Sequence, residues 1–236
     1  LMRFGRKTRS DLVTRHGYIA VKRVLDTALV VAAAPLVIPI ALGTAAAVRL
    51  KLGRPVLFKQ NRIGLDEEEF ELLKFRSMLQ ETDADGSALS PSERLTEFGK
   101  ALRKSSLDEV PQLWNVLRGD MSLVGPRPLL REYVPHYKDD ERPRHAVRPG
   151  ITGLAQVSGR NLVGWDERLS LDAQYARRVG LLFDAQILTK TLAQLVVRRG
   201  VTTAPWDRGE LLSVYRSYPR TGSYALRRFE PKDIPA

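Results

Sequence analysis

The sequence predicts a mainly helical α/β protein with a small β-hairpin, carried on a helical segment inserted in a membrane. Three observations indicate this fold class. Residues 27–48 contain no charged side chain. Two short runs rich in strand-forming residues, 56–58 and 70–75, are separated by a polar turn, as in a hairpin. Apolar residues then recur at helical spacing between Phe183 and Val196.

Composition limits the partners of the chain. Its 236 residues suit one compact domain with additional segments. A net charge of +11 indicates an anionic partner, such as nucleic acid, anionic lipid or a phosphorylated metabolite. The basic residues are not interleaved with aromatic residues as in a base-stacking platform, so we expect no nucleic-acid partner. There is no cysteine, which excludes disulfides and thiolate metal sites.

The uncharged segment 27–48 is close to the ~20 residues that a helix needs to cross a bilayer. It has basic residues at both ends: Lys22, Arg23, Arg49, Lys51 and Arg54. Pro35 and Pro39 lie in its middle, where each removes a helical N–H donor. We predict a re-entrant hairpin, helix–break–helix, that dips into one leaflet and returns. A kinked transmembrane helix, a signal peptide and a buried core helix remain alternatives.

An acidic pair lies within a basic frame further along the chain. Asp108 and Glu109 are adjacent, with Arg103 before them and Arg127 after them. Fixed cations around two carboxylates suit a phosphate and a divalent metal held beside a nucleophilic carboxylate. The alternative is structural, because Ser106 followed three residues later by Glu109 matches a helix capping box. The two interpretations are compatible.

Two loops could contribute anion contacts. Prolines flank Arg127 on both sides, which suits either a rigid anion clamp or a stiff turn with a solvent-facing arginine. A glycine-rich loop runs from Arg148 to Arg160 and resembles no Walker A or Rossmann motif. Its small residues between two arginines suit nucleotide or phosphate contacts, or its glycines only make turns.

The remaining pattern predicts helices over 95–103 and 109–117 and a loop over 122–128. The helix over 183–196 could pack on the core or lie on the membrane. The basic residues of segment 1–23 suit an anionic leaflet surface. The tail 201–236 is rich in Arg, Pro and Gly, and we expect it to be weakly structured.

Together, these patterns resemble the bacterial sugar transferase family, the monotopic phosphoglycosyl transferases. The similarity covers about residues 21–199, and the size is like that of members that consist of the catalytic core alone. The motifs that carry it are Lys22-Arg23 with Asp26, Pro39, Gln60-Asn61-Arg62 with Gly64, Lys74-Phe75-Arg76-Ser77-Met78, SLDEVPQLWNVLRGDMSLVGPRP, RPGITGLAQVSGRN, and Asp172 to Tyr175.

Members of that family transfer a sugar-1-phosphate from a UDP-sugar to undecaprenyl phosphate, release UMP and need Mg²⁺. The resemblance implies that Asp108 attacks the β-phosphorus and forms a phosphosugar–aspartyl intermediate. Asp108 and Glu109 would form the metal site, with Glu109 helping to hold Mg²⁺. The implied substrate- and phosphate-binding residues are Lys74, Arg103, Arg127, Arg148, Gln156 and Arg160, the last three in the loop that would close the nucleotide site.

The resemblance also implies an organisation. A small α/β core, the catalytic domain 51–200, would sit on a re-entrant membrane helix over 24–50, with amphipathic interfacial helices. The enzyme would act at the cytoplasmic face of the bacterial inner membrane, among inner-leaflet lipids, in the first membrane step of glycan assembly. A homo-oligomer is compatible with it. An inactive membrane scaffold for glycan assembly is an alternative, and the intact Asp108–Glu109 pair argues against it. Ile38 stands where the family usually has Ser before the membrane proline, so the hairpin geometry departs from the family pattern.

Overall fold

The structure is a computed structural model that describes residues 9–81, 89–158, 164–197 and 212–217. These residues form a mainly helical protein with two small sheets and one long apolar helix, which confirms the predicted fold class. The helices are α1 (Arg9–Leu52), α2 (Pro91–Arg94), α3 (Glu97–Lys104), α4 (Gln112–Arg118), α5 (Leu154–Ser158), α6 (Trp165–Arg178), α7 (Leu181–Val197) and α8 (Leu212–Ser217). The strands are β1 (Leu57–Ile63), β2 (Glu69–Phe75), β3 (Ser122–Val124) and β4 (Gly150–Thr152).

Helix α1 runs through Pro35 and Pro39 without interruption, where a break between two helices was predicted. A proline removes one backbone donor and crowds the preceding carbonyl, but the turns on either side can continue the helix. The part of α1 from Gly17 to Leu52 is long enough and apolar enough to cross a membrane, by length and composition alone. Its most apolar window has a mean hydropathy of 2.2 and is only 11% buried.

Both halves of α1 pack on the rest of the protein. In the first half, Val30 belongs to a buried cluster with Leu72 and Val116. In the second half, Val48 belongs to a cluster with Phe75 and Leu102. The proline-containing middle lies between these contacts and exposes large apolar side chains to the surroundings: Val31, Leu36, Ile38, Ile40 and Leu42. The same globular body therefore holds the helix on either side of its exposed apolar segment.

The predicted hairpin is present and extends beyond its predicted length. β1 and β2 are antiparallel, with Leu57 opposite Phe75 and Ile63 opposite Glu69. The backbone NH of Leu73 in β2 donates to the Asn115 side chain at 3.1 Å, which ties the hairpin to α4. This contact holds the C-terminal end of β2 in place, and the end of this strand contributes to the site described below.

A second, parallel sheet was not predicted. β3 pairs with β4, so the predicted loop 122–128 begins as a strand. Glycines let the two segments approach closely. A Cβ atom on Gly150 would lie 2.0 Å from the Gly125 nitrogen, and one on Gly153 would lie 2.1 Å from the Gly125 oxygen. Gly150 and Gly153 of the 148–160 loop therefore allow close backbone packing, a role that neither interpretation of the loop predicted.

The predicted helices correspond to α3, α4 and α7, with shifts of two or three residues at their starts. Helix α7 packs on the core through Ile187, which is 1% exposed, while Leu192 on the same helix is 63% exposed. Helix α6 was not predicted as an element. It carries buried Asp172 and Tyr175, both of which bond to other segments.

The tail 201–236 was expected to be weakly structured. This expectation is wrong for residues 212–217, which form helix α8. Helix α8 buries Leu212 completely in a cluster with Leu129, Tyr133 and Leu169. Arg216 also forms a buried ion pair with Glu141 at 2.5 Å. Composition alone missed this element because a few specific contacts dock it. These are buried Leu212, the ion pairs of Arg216 with Glu141 and Asp166, and the hydrogen bond from the Tyr215 hydroxyl to Asp166.

We expect Leu212→Ala to lower the free energy of unfolding by about 3 kcal/mol, because it leaves a cavity at a fully buried site. Thermal unfolding of the detergent-solubilised protein measures this change. Leu192→Ala, at a largely exposed leucine, is the matched control and should change stability by about 0.5 kcal/mol or less. Equal effects of the two variants would contradict the docking of α8.

Candidate active site

Three chain segments converge around the acidic pair. Lys74 comes from the end of β2, and Arg127 comes from the segment that follows β3. Asp108 and Glu109 lie on a 3₁₀ turn, Leu107–Glu109, between α3 and α4. The hairpin and the second sheet therefore bring two predicted cations to the carboxylates from different parts of the chain.

The local backbone does not use the acidic pair for capping. Ser106 has a left-handed φ of 59° and its side chain makes no cap hydrogen bond. Pro111 precedes α4 and also provides no side-chain cap. The predicted capping box at Ser106 is therefore wrong, and Asp108 and Glu109 face other partners. A true capping box occurs earlier, between Ser90 and Glu93.

Glu109 is held by two cations. Lys74 Nζ lies 2.8 Å and Arg127 Nη2 lies 2.9 Å from the same atom, Glu109 Oε1. Burial alone would raise the pKa of Glu109, but Lys74 and Arg127 outweigh it and hold this pKa well below its usual range. The Glu109 and Lys74 side chains are 19% and 18% exposed, whereas Arg127 is 42% exposed. Glu109 is therefore a fixed anion, and Arg127 is the more accessible of its two partners.

Asp108 is in the opposite situation. It is 8% exposed, and no described residue donates a hydrogen bond to its carboxylate. Burial, and then the charge of Glu109, raise the pKa of Asp108 to about 6, although Lys74, Arg103 and Arg127 oppose this shift. A desolvated carboxylate without hydrogen bonds is a stronger nucleophile than a hydrated one. Its protonation state changes just below neutral pH.

Arg103 completes the cation set around the pair. It lies in the last turn of α3, and its Nε donates to Ser77 Oγ at 2.9 Å. Its charge lowers the pKa of Asp108, which reflects its proximity to that carboxylate. The structure thus brings together Lys74, Arg103 and Arg127, the three phosphate-binding candidates outside the glycine loop.

The candidates in the glycine loop have other partners. Arg148 Nε donates to the Gly119 carbonyl at 2.8 Å. Gln156 Nε2 donates to the Ile151 carbonyl at 2.8 Å, and its Oε1 is buried with no partner among the described residues. Neither side chain hydrogen-bonds to the acidic pair. Arg160 lies outside the described residues.

One charged residue that was not predicted from the sequence, Arg144, also reaches the site. Arg144 Nη2 donates to the backbone carbonyl of Arg127 at 2.7 Å and also to Asp172 Oδ2 at 2.9 Å. Arg144 follows Arg142 and Pro143 in a polar run, which is typical of a surface turn. The only indirect signal for the role of Arg144 was Asp172. This residue is a single acid among the buried positions of α6, and a buried acid needs a cation partner.

The donor set for a metal is small. Among the described residues, no group of three or more His, Asp or Glu side chains is arranged to hold a metal ion. Mg²⁺ typically binds proteins through one or two carboxylates and takes its other ligands from water and substrate phosphates. The two adjacent carboxylates of Asp108 and Glu109 match that number of protein ligands.

The comparison with known families decides the class. The family model described as "Bacterial sugar transferase" matches residues 17–198, which include α1 from Gly17 onward, both sheets and the whole site. The chain belongs to the bacterial sugar transferase family. This confirms the resemblance drawn from the motifs.

Several bacterial sugar transferases are similar to this chain. "Uncharacterized sugar transferase EpsL" of Bacillus subtilis is 49% identical over 162 residues, 69% of this chain and 80% of that protein. An N-acetylgalactosaminephosphotransferase of Aeromonas hydrophila, named for UDP-N-acetylgalactosamine and undecaprenyl phosphate, is 41% identical over 78% of this chain and 45% of its own length. A UDP-glucose:undecaprenyl-phosphate glucose-1-phosphate transferase of Caulobacter vibrioides is 39% identical over 74% of this chain and 69% of its own. The chain thus spans less than half of the Aeromonas relative.

Proposed function

We propose that the protein transfers a sugar-1-phosphate from a UDP-sugar to undecaprenyl phosphate and releases UMP, as an early step in polysaccharide assembly. The names of the Aeromonas and Caulobacter relatives support this substrate class. The observation that supports this chemistry is the difference in environment between two adjacent carboxylates. Asp108 is buried without a hydrogen bond from the described residues, and Glu109 beside it is fixed by Lys74 and Arg127.

The proposed reaction has two displacements at one phosphorus atom. An Asp108 carboxylate oxygen attacks the β-phosphorus, and the bond to the bridging oxygen breaks, so that UMP leaves with the electron pair. The intermediate is an acyl phosphate between Asp108 and the sugar phosphate. A phosphate oxygen of undecaprenyl phosphate then attacks the same phosphorus, and Asp108 leaves as a free carboxylate. Two steps avoid holding both anionic substrates at once.

Lys74, Arg127 and the metal ion have different roles in this scheme. Lys74 is fixed on Glu109 and keeps the site positive next to the incoming diphosphate. Arg127 is more exposed, so it can contact a substrate phosphate while it retains Glu109. Asp108 and Glu109 would hold Mg²⁺ together with the diphosphate, and this ion would neutralise charge that develops on the leaving UMP.

We also propose that α1, although helical throughout, bends at Pro35 and Pro39, so that its apolar middle enters one leaflet and returns to the same face. Clusters on both sides of the prolines pack on one globular body, which supports this topology. Arg76 adds to the argument, because its guanidinium donates to the carbonyl oxygens of Leu52 and Arg54 at the end of α1. In the first half of α1, the contact runs the other way: Arg23 donates from the helix to the Val116 and Leu117 carbonyls of α4.

The topology is tested with single cysteines, since the chain has none of its own. Cysteines placed at Arg15 and Arg54 should react with a membrane-impermeant reagent from the cytoplasmic side only. Labelling of the two positions from opposite sides would establish a transmembrane helix instead.

The function is tested by UMP release with a panel of UDP-sugars, with and without undecaprenyl phosphate. We expect one or a few donors to give UMP, with turnover only when the lipid acceptor is present. The panel also identifies the sugar. No UMP from any donor, in the presence of Mg²⁺ and acceptor, would contradict the proposed function.

A further inference from the structure

A buried ion pair outside the acidic pair holds the backbone of Arg127. Arg144 lies in a 3₁₀ turn, Arg142–Ala146, and Asp172 lies on α6. Their side chains are each 2% exposed. Arg144 Nη2 bonds both to Asp172 Oδ2, at 2.9 Å, and to the Arg127 carbonyl, at 2.7 Å. The pair therefore reaches the site through the main chain of Arg127.

Every nitrogen of the Arg144 guanidinium has an acceptor. Nε lies 3.3 Å from Asp172 Oδ2, and Nη1 lies 3.3 Å from the Tyr137 hydroxyl. The Tyr137 ring also lies 5.5 Å from the guanidinium carbon. This arrangement allows Arg144 essentially one orientation, because a planar fork that is bonded at all three of its nitrogens cannot rotate without losing bonds.

Stability alone does not explain the presence of this buried ion pair. Burying two charges costs solvation free energy, and an apolar pair of similar volume is often as stable or more stable. A planar cation that reaches a neighbouring carbonyl does something that an apolar pair cannot do. It fixes the position of that carbonyl and hence the direction of the side chain on the same residue.

We propose that Arg144 and Asp172 are positioning residues that direct the Arg127 guanidinium toward Glu109 and the substrate phosphate. The contact chain runs from Asp172 to Arg144, to the Arg127 backbone, and through the Arg127 side chain to Glu109 Oε1. The flanking prolines leave Arg127 little backbone freedom of its own, so one hydrogen bond at its carbonyl can select its orientation. The role in catalysis rests on the proposed function, whereas the positioning itself does not.

The test is a double-mutant cycle on UMP release. Arg144→Met with Asp172→Leu replaces the ion pair by an apolar pair and removes its two buried charges together. We expect this double variant to lose about 10²-fold in kcat, since misplacing a positioning group can cost that much. In an Arg127→Ala background the same change should cost about threefold or less, because the residue through which it acts is gone. Equal losses in both backgrounds would overturn the proposal.

Two further variants separate positioning from general damage. Arg216→Met breaks the ion pairs of Arg216 with Glu141 and Asp166, neither of which has a bond to Arg127, and it should leave kcat unchanged. Arg144→Lys keeps the charge opposite Asp172 but lacks the planar fork, so it should keep its Tm and still lose kcat. If Arg216→Met loses as much activity as the apolar pair, the effect is structural and the proposal fails.

A measurement without substrate separates this proposal from the function. Hydrogen–deuterium exchange of a peptide covering 122–130 should become faster in the apolar-pair variant and stay unchanged in Arg216→Met. Should the wild type release no UMP from any donor, the proposed function fails and exchange alone decides the positioning. Unchanged exchange in the apolar-pair variant would overturn the positioning whatever the activity.

Discussion

Replacing Asp108 with Asn is expected to abolish UMP release, with less than about 1% of the wild-type rate remaining. The amide has nearly the same shape but cannot form the acyl phosphate, so the covalent route is lost. UMP release with the preferred donor measures the effect. Asp139→Asn, at an exposed aspartate, is the matched control and should retain full activity. Turnover of Asp108→Asn well above that level would remove Asp108 as the nucleophile.

The same variant has a second expected effect, on stability. Burial raises the pKa of Asp108 from 3.8 to about 6, so the folded protein holds this proton more tightly than the unfolded chain. Ionisation of Asp108 therefore destabilises the fold as pH rises from about 4 to 6, and the full cost is present above pH 6. Asp108→Asn should consequently be more stable than wild type at pH 8, by up to about 3 kcal/mol, and equal to it near pH 3. A loss of stability at pH 8 would contradict the desolvated site.

Activity should follow the same titration. Only the ionised carboxylate can attack phosphorus, so kcat/KM should rise with pH through about 6 and then level off. The stability loss of the wild type should end near pH 6, where this rise has its midpoint, because one group causes both.

Glu109→Gln is expected to have the second largest effect, a loss of about 10² to 10³-fold in activity. The amide keeps the size of the side chain but removes the anion that Lys74 and Arg127 share, and Lys74 is left largely buried without its partner. It also removes a proposed Mg²⁺ ligand, so the Mg²⁺ concentration for half-maximal rate should rise by about tenfold or more.

The control for this variant is Glu71→Gln, which breaks the more exposed Lys59–Glu71 pair on the hairpin. It should alter neither the rate nor the Mg²⁺ titration. If Glu109→Gln lowers the rate but leaves the Mg²⁺ titration where it is in the wild type, Glu109 orients the cations and is not a metal ligand.

Local patterns in the sequence predicted the elements with strong local signals. The hairpin has alternating strand formers around a polar turn, and α7 has a clear apolar face, so both were found. β3 and β4 were not, because three-residue parallel strands depend on a partner far along the chain and on the close approach of Gly125 to Gly150. The interruption in α1 was expected from its prolines, yet helical hydrogen bonding continues past both.

The residues of the site were likewise predicted only where the signal is local in the sequence. Asp108, Glu109 and Arg127 stand out because they cluster in sequence, and Lys74 was added through the family motif. Arg144 and Asp172 are 28 residues apart, and only the packing of the turn against α6 places them together. Ser106 was misassigned because the capping-box pattern does not reveal a left-handed backbone.

The central claim is that Asp108 carries the sugar phosphate covalently, and one measurement tests it directly. The protein is incubated with its UDP-sugar and Mg²⁺ in the absence of undecaprenyl phosphate, quenched in acid and analysed by peptide mass spectrometry. We predict a burst of about one UMP per protein and the mass of a sugar phosphate on the peptide that contains Asp108, chased to zero by adding the lipid acceptor. UMP that forms only when the acceptor is present, with no labelled peptide, would contradict the covalent route.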